Sequence, residues 1–416
     1  MELDEHLFRS ESARMVAALT RIFGVHNLAL AEDVVQDAFC RALEVWKVRG
    51  VPQNPSAWLM ATAKNRALDV IRRERTARTF APELSRLFDS EWTLPPLVDE
   101  AFGSEAMRDE QLRMMFSCCD PRLKEEVQIA LVLNILCGFG AHEVAGAFLA
   151  GRAAVEKRIA RGKTTLATSP RLFDLTDDDV AARLPVVQRA LYLLFNEGYH
   201  SVSADAVVRT DLCREAIRLT LLLADDARTG APASIALAAL LCLHAARLPA
   251  RLDGAGDLSA LVDQDRSAWD SGLIARGLAL LERSARGNEI STYHIEAAIA
   301  AAHVQAPSVD RTDWHLIVEL YDKLMALSPS PVVALNRAIA VAQRDGAERG
   351  IEELRIVPDG DRLAAYPFYR AAFAELELRR GHRDAAREHF EAAVRLARGA
   401  AERRFFEKRL RRCEFD

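Results

Sequence analysis

Apolar residues in this chain recur at intervals of three and four almost from end to end, and strict alternation of apolar with polar residues is scarce. A period near 3.6 keeps apolar side chains on one helix face, whereas a half-buried strand needs a period of two. Ala, Leu, Arg and Glu dominate the periodic stretches, and all four are good helix formers. The expected fold class is therefore all-α. A chain of 416 residues exceeds one ordinary core, so several helical units are expected. Proline and acid mark their borders. Thr79 to Ala106 carries three prolines and a surplus of acid and reads as a linker, and "ATSPRLFDLTDDDVAARLP" marks a second boundary. The expected division is a small helical unit over 1–80, an acidic linker over 81–106, a second small unit over 107–168, a helical middle over 180–285 and helical repeats over 286–416.

Charge excludes some functions. With 55 basic against 60 acidic residues the chain is not expected to coat nucleic acid along its whole length, so any such contact must come from local basic patches. The start, "MELDEHLFRS", is acidic and has no basic segment followed by an apolar run, so the expected location is cytoplasmic. The segments "IALVLNIL" and "SIALAALLCLHAA" are shorter than the roughly 20 residues that span a bilayer and read as buried helices, with no membrane contact expected. The cysteines, Cys40, Cys118, Cys119, Cys137, Cys213, Cys242 and Cys413, form no CxxC pair and are expected to be buried structural thiols. No nucleophile with a nearby base, metal cluster or complete phosphate loop is apparent, so neither an enzyme nor a cofactor is expected.

The stretch "VEKRIARGKTTL", Val155 to Leu166, holds a Gly-Lys-Thr that invites a nucleotide-binding reading. A phosphate loop needs GxxxxGK[ST] after a strand, because the first glycine lets the backbone wrap the phosphates. Here Lys157 stands at that first position and a helix-period stretch precedes it, so the motif fails twice. A helix over Ala141 to Ala147, a tight turn over Phe148 to Gly151 and a second helix from Arg152 fit better. On that second helix Val155, Ile159, Gly162 and Leu166 share one side and Lys157, Arg161 and Thr164 the other, flanked by Arg152 and Arg158. Such a basic face suits phosphates and base edges, although a merely solvated basic face has the same pattern.

The first unit contains "LAEDVVQDAFCRALEVW" and "NPSAWLMATAKNRALDVIRRERTART". Asn54 is placed to cap a helix with Pro55 at its first position. Along it Leu59, Ala63, Ala67 and Val70 form an apolar stripe opposite Asn65, Asp69 and Arg72. Trp58 fits a core aromatic as well as a functional one, and Asp69 is spaced to pair with Arg72 or Arg73 on its own helix. With these residues the first unit resembles the promoter-melting domain of extracytoplasmic-function sigma factors, whose pattern of "AEDxxQDxF" then "WLxxxAxNxxxDxxRR" is present here. Residues 107 to 166 are similar to that family's second DNA-binding domain, which ends in a helix-turn-helix. The resemblance implies core RNA polymerase and promoter DNA as partners. It places Asp33, Gln36, Asp37 and Phe39 on the helix that docks on the polymerase, and Asn65, Asp69, Arg72 and Arg73 at the upstream end of the -10 element. It also places Arg152, Lys157, Arg158 and Arg161 in the major groove of the -35 element. The "AEDVVQDAF" helix is what separates this reading from its rival, a helical adaptor or DNA-binding regulator that never joins polymerase.

About 250 residues remain, more than a minimal sigma factor requires. "LPVVQRALYLLFNEGYHSVSADAVVRTDLCREAIRL" resembles the middle segment of a sigma-factor subgroup with a helical-repeat extension. Within it Glu197, His200 and Asp205 have no metal-like spacing, and Gly198 suggests a turn between helices. Gly346 and Gly381 stand 35 residues apart, close to the tetratricopeptide period of about 34. Gly381, Ala386, Phe390 and Ala393 sit near that repeat's small and aromatic positions, and Tyr321, Leu324 and Pro329 close an earlier copy. Stacked repeats offer a surface for a protein or peptide partner. A boundary near Ala167 to Asp179 leaves the extension placed to fold back and control the first two units in cis.

Overall fold

The computed structural model describes residues 5–23, 27–74, 104–147, 151–168, 175–199, 208–286, 289–358 and 360–414. It contains eighteen α-helices and no strand among the described residues, which establishes the all-α class. The helices are α1 (Glu5–Phe23), α2 (Leu28–Arg49), α3 (Pro55–Glu74), α4 (Ser104–Cys118) and α5 (Glu125–Leu131), the last continued by a π-turn over Val132–Leu136. Then come α6 (Ala141–Ala147), α7 (Arg152–Ala167), α8 (Asp177–Tyr199), α9 (Thr210–Asp225), α10 (Pro232–Ala245), α11 (Ser271–Ser284) and α12 (Thr292–Gln305). The chain ends with α13 (Trp314–Leu327), α14 (Pro331–Asp345), α15 (Ala347–Arg355), α16 (Pro367–Arg379), α17 (Arg383–Leu396) and α18 (Ala400–Leu410).

Two compact units share these helices. The first comprises Met1–Leu194 with Arg214–Thr229, the second Phe195–Cys213 with Gly230–Asp416. Both N-terminal segments, carrying α1–α3 and α4–α7, thus lie in the first unit. Its core includes the fully buried Met15, Leu19 and Phe23 of α1, Leu59 of α3, Met114 and Met115 of α4 and Leu131 of α5. The acidic linker over 81–106 falls mostly outside the described residues. At the second boundary Thr176 and Asp179 satisfy each other's backbone N–H groups, so α8 starts from a reciprocal cap.

The second unit is built on α10, whose residues from Ser234 to Leu243 are all buried. The segment Pro232–Ala250 is long and apolar enough to cross a membrane, but 72% of its window is packed inside the unit, as a core helix requires. Side-chain caps start the helices around it. Asp270 Oδ1 accepts from the Leu273 N–H, Asp313 Oδ1 from the Leu316 N–H and Ser330 Oγ from the Val333 N–H. Gly346 and Gly381, at φ 97° and 81°, make the tight turns of two successive helical hairpins, α14–α15 and α16–α17. That conformation suits glycine, which has no Cβ to clash. Ala386, Phe390 and Ala393 are buried together with Phe406 of α18, and Leu324, with Tyr321 against it, joins a neighbouring cluster.

Two expectations change. Gly198 lies inside the last turn of α8 and is not in a left-handed cap: a Cβ there would come within 2.7 Å of the Arg209 carbonyl and 2.8 Å of Leu212 Cβ. Close approach of α9 is what requires a glycine. Cys40 is exposed, while the other six cysteines are buried as free thiols. Burial pushes Cys119 and Cys213 up to about 12 and Cys242 to about 11, which keeps them protonated and inert.

Candidate polymerase and nucleic-acid interface

Helix α2 buries Ala31, Val34, Val35, Ala38, Ala42 and Trp46, which turns its other side outward. Asp33, Gln36 and Asp37 are exposed there, and Phe39 is half-buried. Asp37 is not free: its Oδ2 accepts from Arg66 Nε at 2.9 Å and pairs with Nη2 at the same distance, tying α2 to α3. Sequence reading places Arg66 among the basic residues of α3 but misses its pair with Asp37, because the partner lies 29 positions away on a different helix.

Helix α3 begins as its sequence predicts, with Asn54 Oδ1 accepting from the Ala57 N–H at 3.0 Å and Pro55 in the first turn. Leu59, Ala63 and Ala67 are buried, Val70 is half-buried, and Asn65 and Asp69 stand exposed on the opposite side. Trp58 is half-buried and meets Trp46 edge-on with ring centroids 5.4 Å apart, so it braces α3 against α2. Arg72 and Arg73 fall on the helix, but their side chains lie outside the described set.

Helix α6 spans Ala141–Ala147 and α7 starts at Arg152, as expected from the sequence, and α7 runs to Ala167; most of the expected turn over Phe148 to Gly151 lies outside the described residues. The buried side of α7 is Val155, Ile159, Gly162 and Leu166. A Cβ on Gly162 would lie 2.7 Å from Leu131 Cδ1, so this glycine lets α7 close on α5. The Lys163 Nζ donates to both carboxylate oxygens of Glu32 on α2, at 2.6 and 2.9 Å. Gly-Lys-Thr is therefore helix packing followed by an ion pair between helices.

On the outer side of α7, Lys157 and Arg161 are exposed and pair with no carboxylate among the described residues. Arg152 pairs with Glu156 one turn on at 2.8 Å, and Arg158 with Glu126 of α5 at 3.1 Å. These are surface pairs worth a few tenths of a kcal/mol to about 1, so phosphates can compete for them.

The same unit brings later residues against α4. Glu110, fully buried, accepts from Arg21 of α1, and Gln111, also buried, accepts from Arg218 Nη1 of α9 at 3.2 Å. Arg218 in turn donates to both oxygens of the buried Glu215. A half-buried arginine gains from having its fork filled, and these acceptors supply that. No motif signals the contacts to α4, since Arg21 lies 89 positions from Glu110 and Arg218 lies 107 from Gln111.

Comparison with known proteins adds sequence context. Residues 7–77 match sigma-70 region 2, and residues 183–285 match a family of unknown function, DUF6596. The chain is 39% identical over 404 residues to an uncharacterized protein of Rhizobium meliloti (strain 1021), covering 96% of this chain and 93% of that protein. No solved structure matches it.

Proposed function

Since the chain belongs to the same family as that Rhizobium meliloti protein and carries sigma-70 region 2 at its N-terminal end, we propose that it is a cytoplasmic sigma factor of the extracytoplasmic-function type, which joins core RNA polymerase and directs it to promoters. The region 2 match carries this reading, because it covers both α2 and α3 with their motif residues. In this role Asp33, Gln36, Asp37 and Phe39 meet the polymerase. Asn65, Asp69, Arg72 and Arg73 meet the upstream end of the -10 element, and Arg152, Lys157, Arg158 and Arg161 meet the -35 element. Exposure of Asp33, Gln36, Asn65, Asp69, Lys157 and Arg161 supports these assignments. No chemical step is assigned to the chain, whose role is recognition. The decisive experiment is reconstitution with core polymerase and run-off transcription from promoters selected by the protein. Failure to co-purify with core enzyme would refute it.

The extension acts in cis in this proposal, and its tetratricopeptide-like helices hold a protein or peptide partner. Contacts inside the first unit support the cis control: Arg218, within the segment that matches DUF6596, reaches Gln111 of α4, while Lys163 of α7 holds Glu32 beside the polymerase-facing residues of α2. A few kcal/mol of such contact suffices to shift a two-state population. Cutting the chain near residue 170 would remove α8 and α9 from the first unit. A point change is therefore the cleaner test. Gln111→Leu keeps the Arg218–Glu215 pair and removes the acceptor, and should change promoter-dependent transcription severalfold. Unchanged polymerase affinity and unchanged transcription would dismiss control through this contact.

A further inference from the structure

Three arginines of the second unit gather where α10 ends and the following loop returns. Arg251 lies over the Tyr199 ring, 4.2 Å from its centroid, and its Nη2 donates to the Tyr199 carbonyl at 3.0 Å. Arg247 and Arg266 both lie over Trp269, at 5.7 and 4.9 Å. Arg266 also donates to the carbonyls of His303 and Ala306, and Arg247 to Gln264 at 3.4 Å. Tyr199 is the last residue of the "NEGY" segment, so the most distinctive piece of the middle sequence ends at this cluster.

Aromatic faces and carbonyls do not neutralise three cations, and the acids close by in sequence are occupied elsewhere. Asp253 holds Lys408 at 2.6 Å, Asp257 holds Arg404 at 2.7 Å and Asp263 holds Arg409, all on or next to α18. Asp265 accepts from the Ser267 N–H and Asp270 caps α11. Among the described residues none of the three arginines has an ion pair. The consequence registers in the proton affinity of Arg247 and Arg266. Burial pulls Arg247 below its ordinary value, Tyr199 opposing and Arg251 adding to the shift, and burial, then Arg247, does the same to Arg266. Burial, together with Arg247 and Arg266, holds His303 near 4, so that ring stays neutral.

Donors are also left over. Arg251 Nε, Arg266 Nη2 and the Trp269 indole Nε1 are buried and have no hydrogen-bond acceptor among the described residues, and Trp269 is only 6% exposed. Leaving buried donors and like charges uncompensated is costly, and the cost is removed when an anion supplies charge and lone pairs together. Guanidinium forks match the paired oxygens of carboxylates and phosphates.

We propose that Arg247, Arg251, Arg266 and the Trp269 N–H form a binding site for a small oxyanion of the phosphate or carboxylate class. The cations are half-buried against rings and not strung along an exposed face, which suits a small ligand better than a nucleic-acid backbone. The site lies outside the proposed polymerase and promoter surfaces and does not depend on that reading.

Calorimetric titration of the full-length protein with inorganic phosphate and, separately, acetate, at constant ionic strength set with chloride, tests the site and distinguishes the two ligand groups. One of them should bind saturably. Binding should weaken at least about tenfold in Arg247→Gln and in Arg266→Gln, and also in Arg251→Lys, which keeps charge but loses the fork. Arg395→Gln, on the exposed side of α17, should leave it unchanged. The wild-type protein gives a second readout that no variant's folding can spoil: on saturation the His303 imidazole should titrate above about 4, because the anion offsets the two arginines. Absence of saturable binding by both anions, binding that the folded arginine variants retain, or a His303 titration unmoved at saturation would each overturn the site.

Discussion

Lys157 and Arg161 of the first unit stand exposed along α7 with no carboxylate beside them, whereas Arg247, Arg251 and Arg266 of the second are half-buried against aromatic rings. Both groups are cationic and unmatched among the described residues, yet the physical settings differ. An exposed cation keeps its hydration and gains from a polyanion mainly by releasing counterions, so its contribution is diffuse and salt-dependent. A half-buried cation has already lost part of its hydration, so one well-placed anion is worth more to it. In the two proposals cationic side chains thus serve a long, replaceable partner on one unit and a small, fixed one on the other.

The largest effect is expected from the first unit's exposed acids. If charge on that surface exists for partners, reversing it leaves folding untouched and removes function. Asp33→Arg should leave the helical signal and melting temperature unchanged while lowering run-off transcription on the order of hundredfold, as expected for a reversed interface charge costing several kcal/mol. Asp33 is a better choice than Asp37, which also holds Arg66. Wild-type transcription from the Asp33 variant would show that the exposed face of α2 does not meet polymerase.

In the second unit charge is coupled to stability instead. His303 is lowered to about 4 in the folded chain from an ordinary 6.5, so the unfolded chain binds its proton more readily. Stability is then fully present above the unfolded value and falls as pH drops from 6.5 toward 4, by about 2 kcal/mol at pH 5. Urea midpoints between pH 7 and 5 in a buffer free of phosphate and carboxylate should show this loss, and His303→Phe, which preserves a ring against Trp314, should reduce it. Equal pH dependence in both proteins would mean that burial and the neighbouring arginines do not hold His303 below its ordinary value in the folded chain.

How far these two settings were legible in the sequence follows from distance along the chain. The stripe of Leu59, Ala63 and Ala67 and the Asn54 cap depend on neighbours within a turn or two, so periodicity finds them. The glycines at 346 and 381 announce themselves by spacing, because each hairpin needs the same left-handed turn. Arg247, Arg251 and Arg266 resemble ordinary surface arginines in a polar loop. Their lack of counter-charge arises because α18, about 150 residues later, takes the neighbouring acids. Gly198 was placed near a helix end but for the wrong reason, since the constraint comes from α9 and not from its own φ.

A smaller effect is expected from the exposed cations of α7. Replacing Lys157 and Arg161 together by alanine should lower the slope of log affinity against log salt by about two, one unit for each lost phosphate contact, with sequence preference retained. Competitive binding to promoter DNA at several chloride concentrations measures it. An unchanged slope would mean that this face of α7 does not follow the DNA backbone.

The smallest expected effect concerns Lys163, the lysine whose neighbours suggested a nucleotide site. It pairs with Glu32 at 2.6 Å, with the two side chains 29% and 26% exposed. Partial exposure means that solvent screens the attraction, so a double-mutant cycle of Lys163→Ala with Glu32→Ala should give a coupling of no more than about 1 kcal/mol. Gly162→Ala is the informative partner experiment, since its Cβ would press on Leu131 and overpacking of this kind costs about 1–3 kcal/mol. The glycine should therefore matter more to stability than the lysine, the reverse of what a phosphate loop demands of its ligand-binding role. ATP binding that disappears with Lys163→Ala would restore the nucleotide reading and remove α7 from the list of helices whose outer face is free for DNA.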